Sequence, residues 1–286
     1  MCAILLADAP GVAMDVTPDI LHALAPNADE WTYGGTNTWL VAGGPRDHCV
    51  VVDPGTAEDA HLNTLRRAAE ARGWTIAAVA LTHGHTDHSD GARELADAAG
   101  VPVIGHPEAP VDVALDDGAC LGEFGAAARV LYTPGHSDDS LCFELGGTHL
   151  LTGDTLLGGH SSGIYGEFGD HLWSLERIIR LSEGRTVAGL PGHGSYIPNI
   201  QVAAAQVRSA RLRRMEQVQQ GIAAHPRVSA DELTASIYPS VTSYHRPSAT
   251  QMVIGIAKYL LEADHNAAAD LREAYRRLAA ERLHGL

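Results

Sequence analysis

The chain has 286 residues, of which 45% are apolar and 19% are charged, a balance that excludes a disordered or fibrous protein. No stretch approaches 18 consecutive apolar residues, so the sequence predicts no membrane-spanning helix. The net charge is −18 over residues 1–200 and +3 over residues 201–286, and the acidic first part disfavours general binding of a phosphate backbone.

The N-terminus and the cysteines together predict a cytoplasmic protein. Residues 1–10 are apolar, but no Lys or Arg precedes them and no cleavage site follows, so we interpret them as mature chain and not as a signal peptide. Cys2, Cys49, Cys120 and Cys142 lack a CxxC or disulfide-like spacing. We expect them to be buried free thiols in a reducing compartment.

Short apolar strands alternate with helical segments through the first two hundred residues, which predicts an α/β fold in which strands outnumber helices. The predicted strands cover 38–42, 49–52, 76–81, 101–104, 129–132, 141–145, 149–151 and 186–190. The predicted helices cover 57–72, 89–99 and 171–181.

From residue 200 onward the pattern becomes entirely helical. Helices are predicted over 201–220, 230–238, 248–263 and 267–283, with prolines between them. We therefore predict two domains, an α/β catalytic domain over residues 1–200 and a helical C-terminal appendage over residues 201–286.

The clearest chemical motif is HGHTDH at 83–88, directly after a predicted buried strand. Three imidazoles and a carboxylate within six residues are ligands suited to zinc. Alternate positions of a loop can point to one side, so His83 and His85 can reach one ion. Asp87 and His88, at the start of the next helix, can reach a second ion.

Three further candidate ligands each stand at a strand end that is rich in Gly or Pro. They are His136 in TPGH, Asp154 in LTGD and His193 in LPGHG. Gly and Pro let the backbone turn sharply there and present one side chain at the sheet edge. Structural histidines and turn residues do not account for so ordered a set, and a structural zinc site favours four closed ligands.

This order of motifs resembles that of the metallo-β-lactamase superfamily, over residues of about 30 to 200. The resemblance implies an αββα sandwich that binds two divalent ions, with zinc preferred and iron or manganese as alternatives. It implies that the first ion is held by His83, His85 and His136, the second by Asp87, His88 and His193, and that Asp154 bridges them. It also implies that a water or hydroxide between the ions is the nucleophile, so that Asp87 and Asp154 are assigned to catalysis.

Several features favour one branch of the superfamily. His85 favours the hydrolytic branch, because flavodiiron-type members have Glu at that position. The segments GGTNTWLV at 34–41 and TGDTLLG at 152–158 resemble the lactamase-beta-2-like group, which includes glyoxalase II-like hydrolases. The C-terminal helices are similar to the winged-helix-like region of that group, and a lid or dimer face is an equal alternative for them.

Five residues near the predicted centre are candidates for supporting roles. Asp53 in VVDPG is expected to fix the ligand loops through hydrogen bonds, or else simply to form a turn. His160 and Tyr165 are candidates for substrate contact or oxyanion stabilisation, or else ordinary loop residues. Arg208 and Arg211 are candidates for holding carboxylates or phosphates of a substrate carrier. The other histidines are expected mostly at the surface.

The predicted function is hydrolysis of a thioester or ester of a small acyl group, carried by CoA, glutathione or a carrier protein. The alternative is a metal-dependent endoribonuclease that cuts single-stranded RNA, which the low aromatic content of 5% disfavours because single-strand binding uses aromatic stacking. A lactonase is the third option. The fold does not determine the substrate, and the sequence is compatible with a homodimer.

Overall fold

Two β-sheets packed face to face form the centre of the computed structural model, which describes residues 6–44, 47–265 and 267–281. Cys2, Pro45 and the end of the fourth predicted C-terminal helix lie outside the described residues, as do the first five residues of the segment interpreted as mature N-terminus. None of the helices within the described ranges has the length and apolarity needed to cross a membrane.

The first sheet contains seven strands in chain order. They are β1 (Ala13–Thr17), β2 (Ile20–Leu24), β3 (Asn37–Val41), β4 (His48–Val52), β5 (Thr75–Ala80), β6 (Val103–Gly105) and β7 (Val113–Ala114). Strands β1 to β4 pair antiparallel, and β4 to β7 pair parallel.

The second sheet contains four strands, and its order places the last strand at one edge. The order is β11 (Ala188–Pro191), β10 (His149–Gly153), β9 (Leu141–Leu145) and β8 (Ala128–Tyr132). Only the pair of β10 with β11 is parallel, so the carboxyl ends of these two strands lie at the same edge of the sheet.

Strand alternation explains how the first sheet is buried on both faces. Val50 and Val52 of β4 point into the core between the sheets, where they meet Phe143 of β9. Cys49 and Val51, the alternate residues, point to the outer face.

Helices cover the outer face of each sheet. On the first sheet lie α1 (Asp59–Ala71) and α3 (Ala92–Ala99), and on the second lie α4 (Phe168–Leu181) and α5 (Ile200–Ala224). The single turn α2 (Thr86–Ser89) stands between β5 and α3. The predicted αββα sandwich is therefore confirmed.

The described C-terminal residues are helical, as predicted. After α5 come α6 (Ala230–Ile237), α7 (Arg246–Ala263) and α8 (Ala269–Ala279). Their apolar cluster includes Val253 and Tyr275 and extends to Phe168 and Leu172 of α4. The helices after residue 200 thus share a core with the segment before it, and the division into two domains at residue 200 stays a prediction.

Several expectations from the sequence were wrong in detail. Strands β1, β2 and β7 were not predicted, and the helix predicted over 89–99 begins only at Ala92, as α3, because Ser89 belongs to the separate turn α2. Cys49 and Cys142 are buried thiols, but Cys120 is exposed. Three histidines expected at the surface, His22, His61 and His171, are buried.

Phe168 provides a test of the core shared by α4 and the C-terminal helices. It is 1% exposed, so the change Phe168→Ala is expected to lower the free energy of unfolding by about 3–5 kcal/mol through lost contacts and a cavity. The matched control is Trp173→Ala on the same helix. Trp173 is 49% exposed and contacts Arg177, so its loss should cost less than about 1 kcal/mol. Equal effects in urea denaturation would contradict this shared core.

Candidate metal centre

The seven predicted ligands converge at one edge of the sandwich, where strands of both sheets end. The loop after β5 carries His83 and His85, and α2 begins directly afterwards with Asp87 and His88 in its single turn. His136, Asp154 and His193 follow β8, β10 and β11 within four residues of each strand end.

Three imidazoles form the first set of candidate ligands. Nδ1 of His85 lies 3.0 Å from Nε2 of His83 and 3.0 Å from Nε2 of His136. Nitrogen ligands about 2.0–2.1 Å from a tetrahedral zinc ion would stand roughly 3.3 Å apart, so this spacing is close to that of a closed ligand set.

A carboxylate and two imidazoles form the second set. Nε2 of His193 lies 3.2 Å from Nε2 of His88 and 3.1 Å from Oδ2 of Asp87. The third side of this triangle, from Nε2 of His88 to Oδ2 of Asp87, measures 3.5 Å.

Asp154 stands between the two sets. Its Oδ1 lies 3.4 Å from Nε2 of His88, and its Oδ2 lies 3.5 Å from Nε2 of His193 and 3.9 Å from Nε2 of His136. Oδ1 is buried and has no hydrogen-bond partner among the described residues. A buried carboxylate oxygen without a donor is strongly unfavourable, and a cation would compensate it.

Glycine at position 192 permits this close arrangement. A side-chain carbon added to Gly192 would overlap Oδ1 of Asp154 and the ring of His88. The glycine of the LPGHG motif therefore serves the packing of the ligands and not only the turn before His193.

Hydrogen bonds to carbonyl groups fix the orientation of two histidines. Nδ1 of His136 donates to the carbonyl oxygen of Gly163 at 3.0 Å, and Nδ1 of His193 donates to that of Gly35 at 3.1 Å. Since a carbonyl only accepts, the proton must be on Nδ1, and the lone pair of Nε2 faces the centre.

Asp53 fixes the orientation of the two other buried histidines. Its Oδ2 accepts from Nδ1 of His88 at 2.9 Å and from the hydroxyl of Thr82 at 2.6 Å. The only hydroxyl proton of Thr82 is thereby used, so Oγ1 of Thr82 accepts from Nδ1 of His83 at 3.0 Å. One buried carboxylate thus leaves Nε2 of both His83 and His88 free as ligand atoms.

Burial and charge determine the protonation of the imidazoles. Burial lowers the pKa of His83 and His85, and it lowers that of His136 to about 4, so all three are neutral. Burial also opposes the charged forms of His88 and His193, but the nearby carboxylates together outweigh it and raise the pKa of both: Asp154 and Asp53 for His88, and Asp154 and Asp87 for His193. A bound cation would compete with protons at these two residues.

The donor set fits a divalent cation. The ligand atoms within each of three overlapping groups lie within 4.8 Å of one another: His83, His85 and His136; His83, His88 and Asp154; and Asp87, His88 and His193. Imidazole nitrogens with carboxylate oxygens are typical ligands of zinc and of other divalent transition metals.

A cavity of about 870 Å³ opens onto this centre. His85, Asp87, His136, Asp154 and His193 form part of its wall. Further parts of the wall come from the loop before β3, from the loop between β10 and α4, and from the C-terminal helices and their connections. They include Trp31, Tyr33, Leu157, Tyr165, Arg211, Tyr238, Val241, His245 and Met252.

The structure places the four candidate substrate residues differently. Tyr165 lines the cavity, and its ring centre lies 5.6 Å from those of His85 and His136. Arg211 also lines the cavity. Arg208 does not line it, and its Nε lies 3.3 Å from a carboxylate oxygen of Glu176.

His160 does not line the cavity itself but supports a residue that does. Its ring stacks on Tyr33 with ring centres 3.6 Å apart. Tyr33 has a φ of 56°, an unfavourable backbone conformation for a residue with a side chain. Tyr33 was not predicted as a site residue, although its position directly before the glycine pair of the GGTNTWLV segment was an available clue.

Trp31 and His245, also missed, join two distant segments beside the cavity. Their ring centres lie 4.9 Å apart, and Nε2 of His245 donates to the carbonyl oxygen of Glu30 at 3.2 Å. The loop before β3 and the segment before α7 thereby enclose one side of the cavity together.

Comparison with known sequences identifies similar proteins. The model of the Metallo-beta-lactamase superfamily matches residues 31–112. The chain is 32% identical over 218 residues to an atrochrysone carboxyl ACP thioesterase of Pseudocercospora fijiensis (strain CIRAD86), covering 73% of this chain and 62% of that relative. It is 30% identical over 238 residues to an atrochrysone carboxyl ACP thioesterase of Passalora fulva, covering 78% and 69%. The chain thus spans less than two thirds of the length of the first relative and slightly more than two thirds of the length of the second.

Two solved structures share the fold over nearly the whole chain. A metallo-beta-lactamase family protein from Thermus thermophilus superposes with a TM-score of 0.70 at 22% identity, covering 87% of this chain and 95% of that chain. A beta-lactamase domain protein from Burkholderia ambifaria superposes with a TM-score of 0.75 at 19% identity, covering 91% and 90%.

The role of Asp53 can be tested by the change Asp53→Asn. Asn tolerates the φ of 51° at this position, but its amide has only one accepting oxygen. Its NH2 group would therefore face either the backbone N–H of Thr82, which donates to Oδ1, or the Thr82 hydroxyl and His88 Nδ1, which donate to Oδ2. We expect metal affinity, measured by competition with a chromogenic chelator, to fall about 10- to 100-fold with the fold retained. The control is Asp112→Asn, an exposed Asp bound to Arg93. Unchanged affinity in Asp53→Asn would show that the carboxylate does not orient the ligands.

Proposed function

Because this chain belongs to the metallo-β-lactamase superfamily, we propose that it is a metal-dependent hydrolase that cleaves thioesters of an acyl group held by a carrier. One observation carries the proposal: five of the seven candidate ligands form part of the wall of an 870 Å³ cavity. An acyl chain in this cavity would have its carbonyl carbon beside the candidate centre.

The proposed centre holds two divalent ions, with zinc preferred because imidazoles dominate the ligand set. His83, His85 and His136 would hold one ion, Asp87, His88 and His193 the other, and Asp154 both. Ions bound there would activate a water molecule and polarise the thioester carbonyl. The chain therefore needs no nucleophilic serine or cysteine.

The protein itself would orient the acyl chain and keep bulk water out. Leu157, Val241 and Met252 give the cavity apolar wall, which suits an acyl chain better than a polyphosphate. Tyr165 and Ser248 of α7 line the same cavity, so the C-terminal helices would help to enclose the phenol that lies next to both His85 and His136.

The choice of a carrier-bound thioester is supported by the names of the relatives. Two of them, each about 30% identical, are ACP thioesterases by name. An endoribonuclease and a lactonase, the two alternatives from the sequence, would use the same ligands. Neither the cavity nor the similar proteins specifically favour them, so the following experiment treats them as its other outcomes.

The first test measures thiol release from a panel of acyl thioesters of N-acetylcysteamine, CoA and glutathione. Metal-loaded protein should release thiol, chelation should stop release, and added zinc should restore it. Asp154→Asn should lower the rate about 1,000-fold or more, since a metal ion contributes several kcal/mol to such a reaction. Asp90→Asn, an exposed Asp close to the ligand Asp87, is the matched control and should retain full activity.

Absence of thiol release from metal-loaded protein would contradict the thioesterase proposal. Metal-dependent cleavage of single-stranded RNA, with log affinity that falls linearly with log salt concentration, would then establish the nuclease alternative. Metal-dependent hydrolysis of a lactone would establish the lactonase alternative. Release that is unaffected by chelation or by Asp154→Asn would instead contradict the metal mechanism.

A further inference from the structure

Arg211 is a buried cation in the wall of the cavity. It lies on α5 with 6% of its surface exposed. Its Nη2 donates to the carbonyl oxygen of Ser162 at 2.5 Å, and its Nη1 donates to the sulfur of Met252 at 3.2 Å, a weak acceptor. Its Nε is buried and has no hydrogen-bond partner within the described part of the chain.

The surroundings of Arg211 contain no compensating negative charge. No carboxylate among the described residues forms an ion pair with it, and the groups that influence it are Tyr238, which is neutral, and the cation Arg214. His171, another buried neighbour, has a pKa lowered first by its burial and then by the charge of Arg211. Burial lowers the pKa of Arg211 to about 10, so the guanidinium remains charged at neutral pH.

A buried guanidinium without a counter-ion is strongly unfavourable unless something pairs with it. Arg208, three residues earlier on the same helix, lies outside the cavity wall and is paired with Glu176. The arginine that faces the cavity is therefore the one that lacks an acid.

We propose that Arg211 binds one anionic group of the substrate, a carboxylate or a phosphate, while the thioester lies at the metal centre. The inference rests on the proposed function, since it assumes that the cavity binds the thioester substrate. It defines the substrate class further: the acyl chain or its carrier arm has an acidic group at a fixed distance from the scissile carbonyl.

A purely structural role for Arg211 is the competing explanation. Arg211 donates to the backbone carbonyl oxygen of Ser162, and the side-chain hydroxyl of Ser162 lies 3.0 Å from Nδ1 of His136. Arg211 could therefore act only by supporting this loop. Loss of such support would disturb the ligand His136 and would slow every substrate by the same factor. Recognition of an anion would instead slow only the substrates that have one.

The experiment therefore compares matched substrates in wild type and Arg211→Gln. The first pair is the glutaryl thioester of N-acetylcysteamine and its monomethyl ester, which test a carboxylate in the acyl chain without any phosphate. The second pair is butyryl-phosphopantetheine and butyryl-pantetheine, which test a phosphate on the carrier arm with a neutral acyl chain.

Wild type should prefer the charged member of one pair, and the preferred pair identifies the source of the anion. Arg211→Gln should lower kcat/KM for that charged substrate about 10- to 100-fold, mainly through KM, and change the neutral partner less than about threefold. Arg211→Lys should show an intermediate loss because it keeps the charge but not the fork of N–H groups. Arg208→Gln, the matched control, should leave the preference unchanged.

Two results would overturn the inference while the proposed function stands. One is a wild-type enzyme that hydrolyses all four thioesters but prefers neither charged member. The other is an Arg211→Gln variant that loses the charged and neutral substrates equally, with metal content unchanged. If wild type hydrolyses none of the four, the thioesterase proposal fails first, and the inference fails with it.

Discussion

The hydrogen bonds of one buried carboxylate, that of Asp53, determine which ring nitrogens of His83 and His88 face the candidate centre. The backbone N–H and hydroxyl of Thr82 and the Nδ1 of His88 all donate to it. Because the Thr82 hydroxyl proton is used in this way, Oγ1 of Thr82 accepts from Nδ1 of His83 and orients that ring as well. Asp53 itself stands in a left-handed conformation directly after β4, and its backbone carbonyl accepts from Thr38 of β3. The orientation of two ligands therefore depends on the pairing of β3, β4 and β5 at the centre of the first sheet, and no flexible loop determines it.

The other ligands depend on the second sheet, and the two halves meet only because the sheets pack face to face. Asp154 and His193 follow the parallel pair β10 and β11, whose carboxyl ends share an edge. A contact from the first sheet also fixes His193, since its Nδ1 donates to Gly35 just before β3. The apolar core between the sheets, with Val50 and Phe143, thus sets the distance between the two ligand sets. A change in the packing of this core would therefore also change the geometry of the candidate centre.

Local spacing made the ligands predictable, and contacts over long sequence separations made the cavity unpredictable. The HGHTDH segment and the three single ligands at strand ends could be found because each motif is short and follows its strand directly. The joining of Trp31 to His245 spans more than two hundred residues and has no local pattern. Strand β2 was missed because His22 interrupts its apolar residues. The His22 ring can be buried because both of its nitrogens have hydrogen-bond partners, the backbone N–H of Ala7 and the side chain of Asn37. The position of Arg211 had a pattern that was overlooked: Ala204, Arg211 and Val218 are buried at intervals of seven residues.

The proposed roles divide between two parts of the chain that differ in charge. The acidic first part provides Asp53, Asp87 and Asp154, which favour cations, and the C-terminal helices, with a net positive charge, provide Arg211. Because the ligands follow strands and Arg211 lies on a helix, a change in α5 or α7 could alter the cavity without moving a ligand. The cavity wall and the metal ligands are not fully independent, because Arg211 bonds to Ser162 and Ser162 contacts the ligand His136. Substrate preference could therefore vary among proteins with the same centre, except where a change reaches the Ser162 loop.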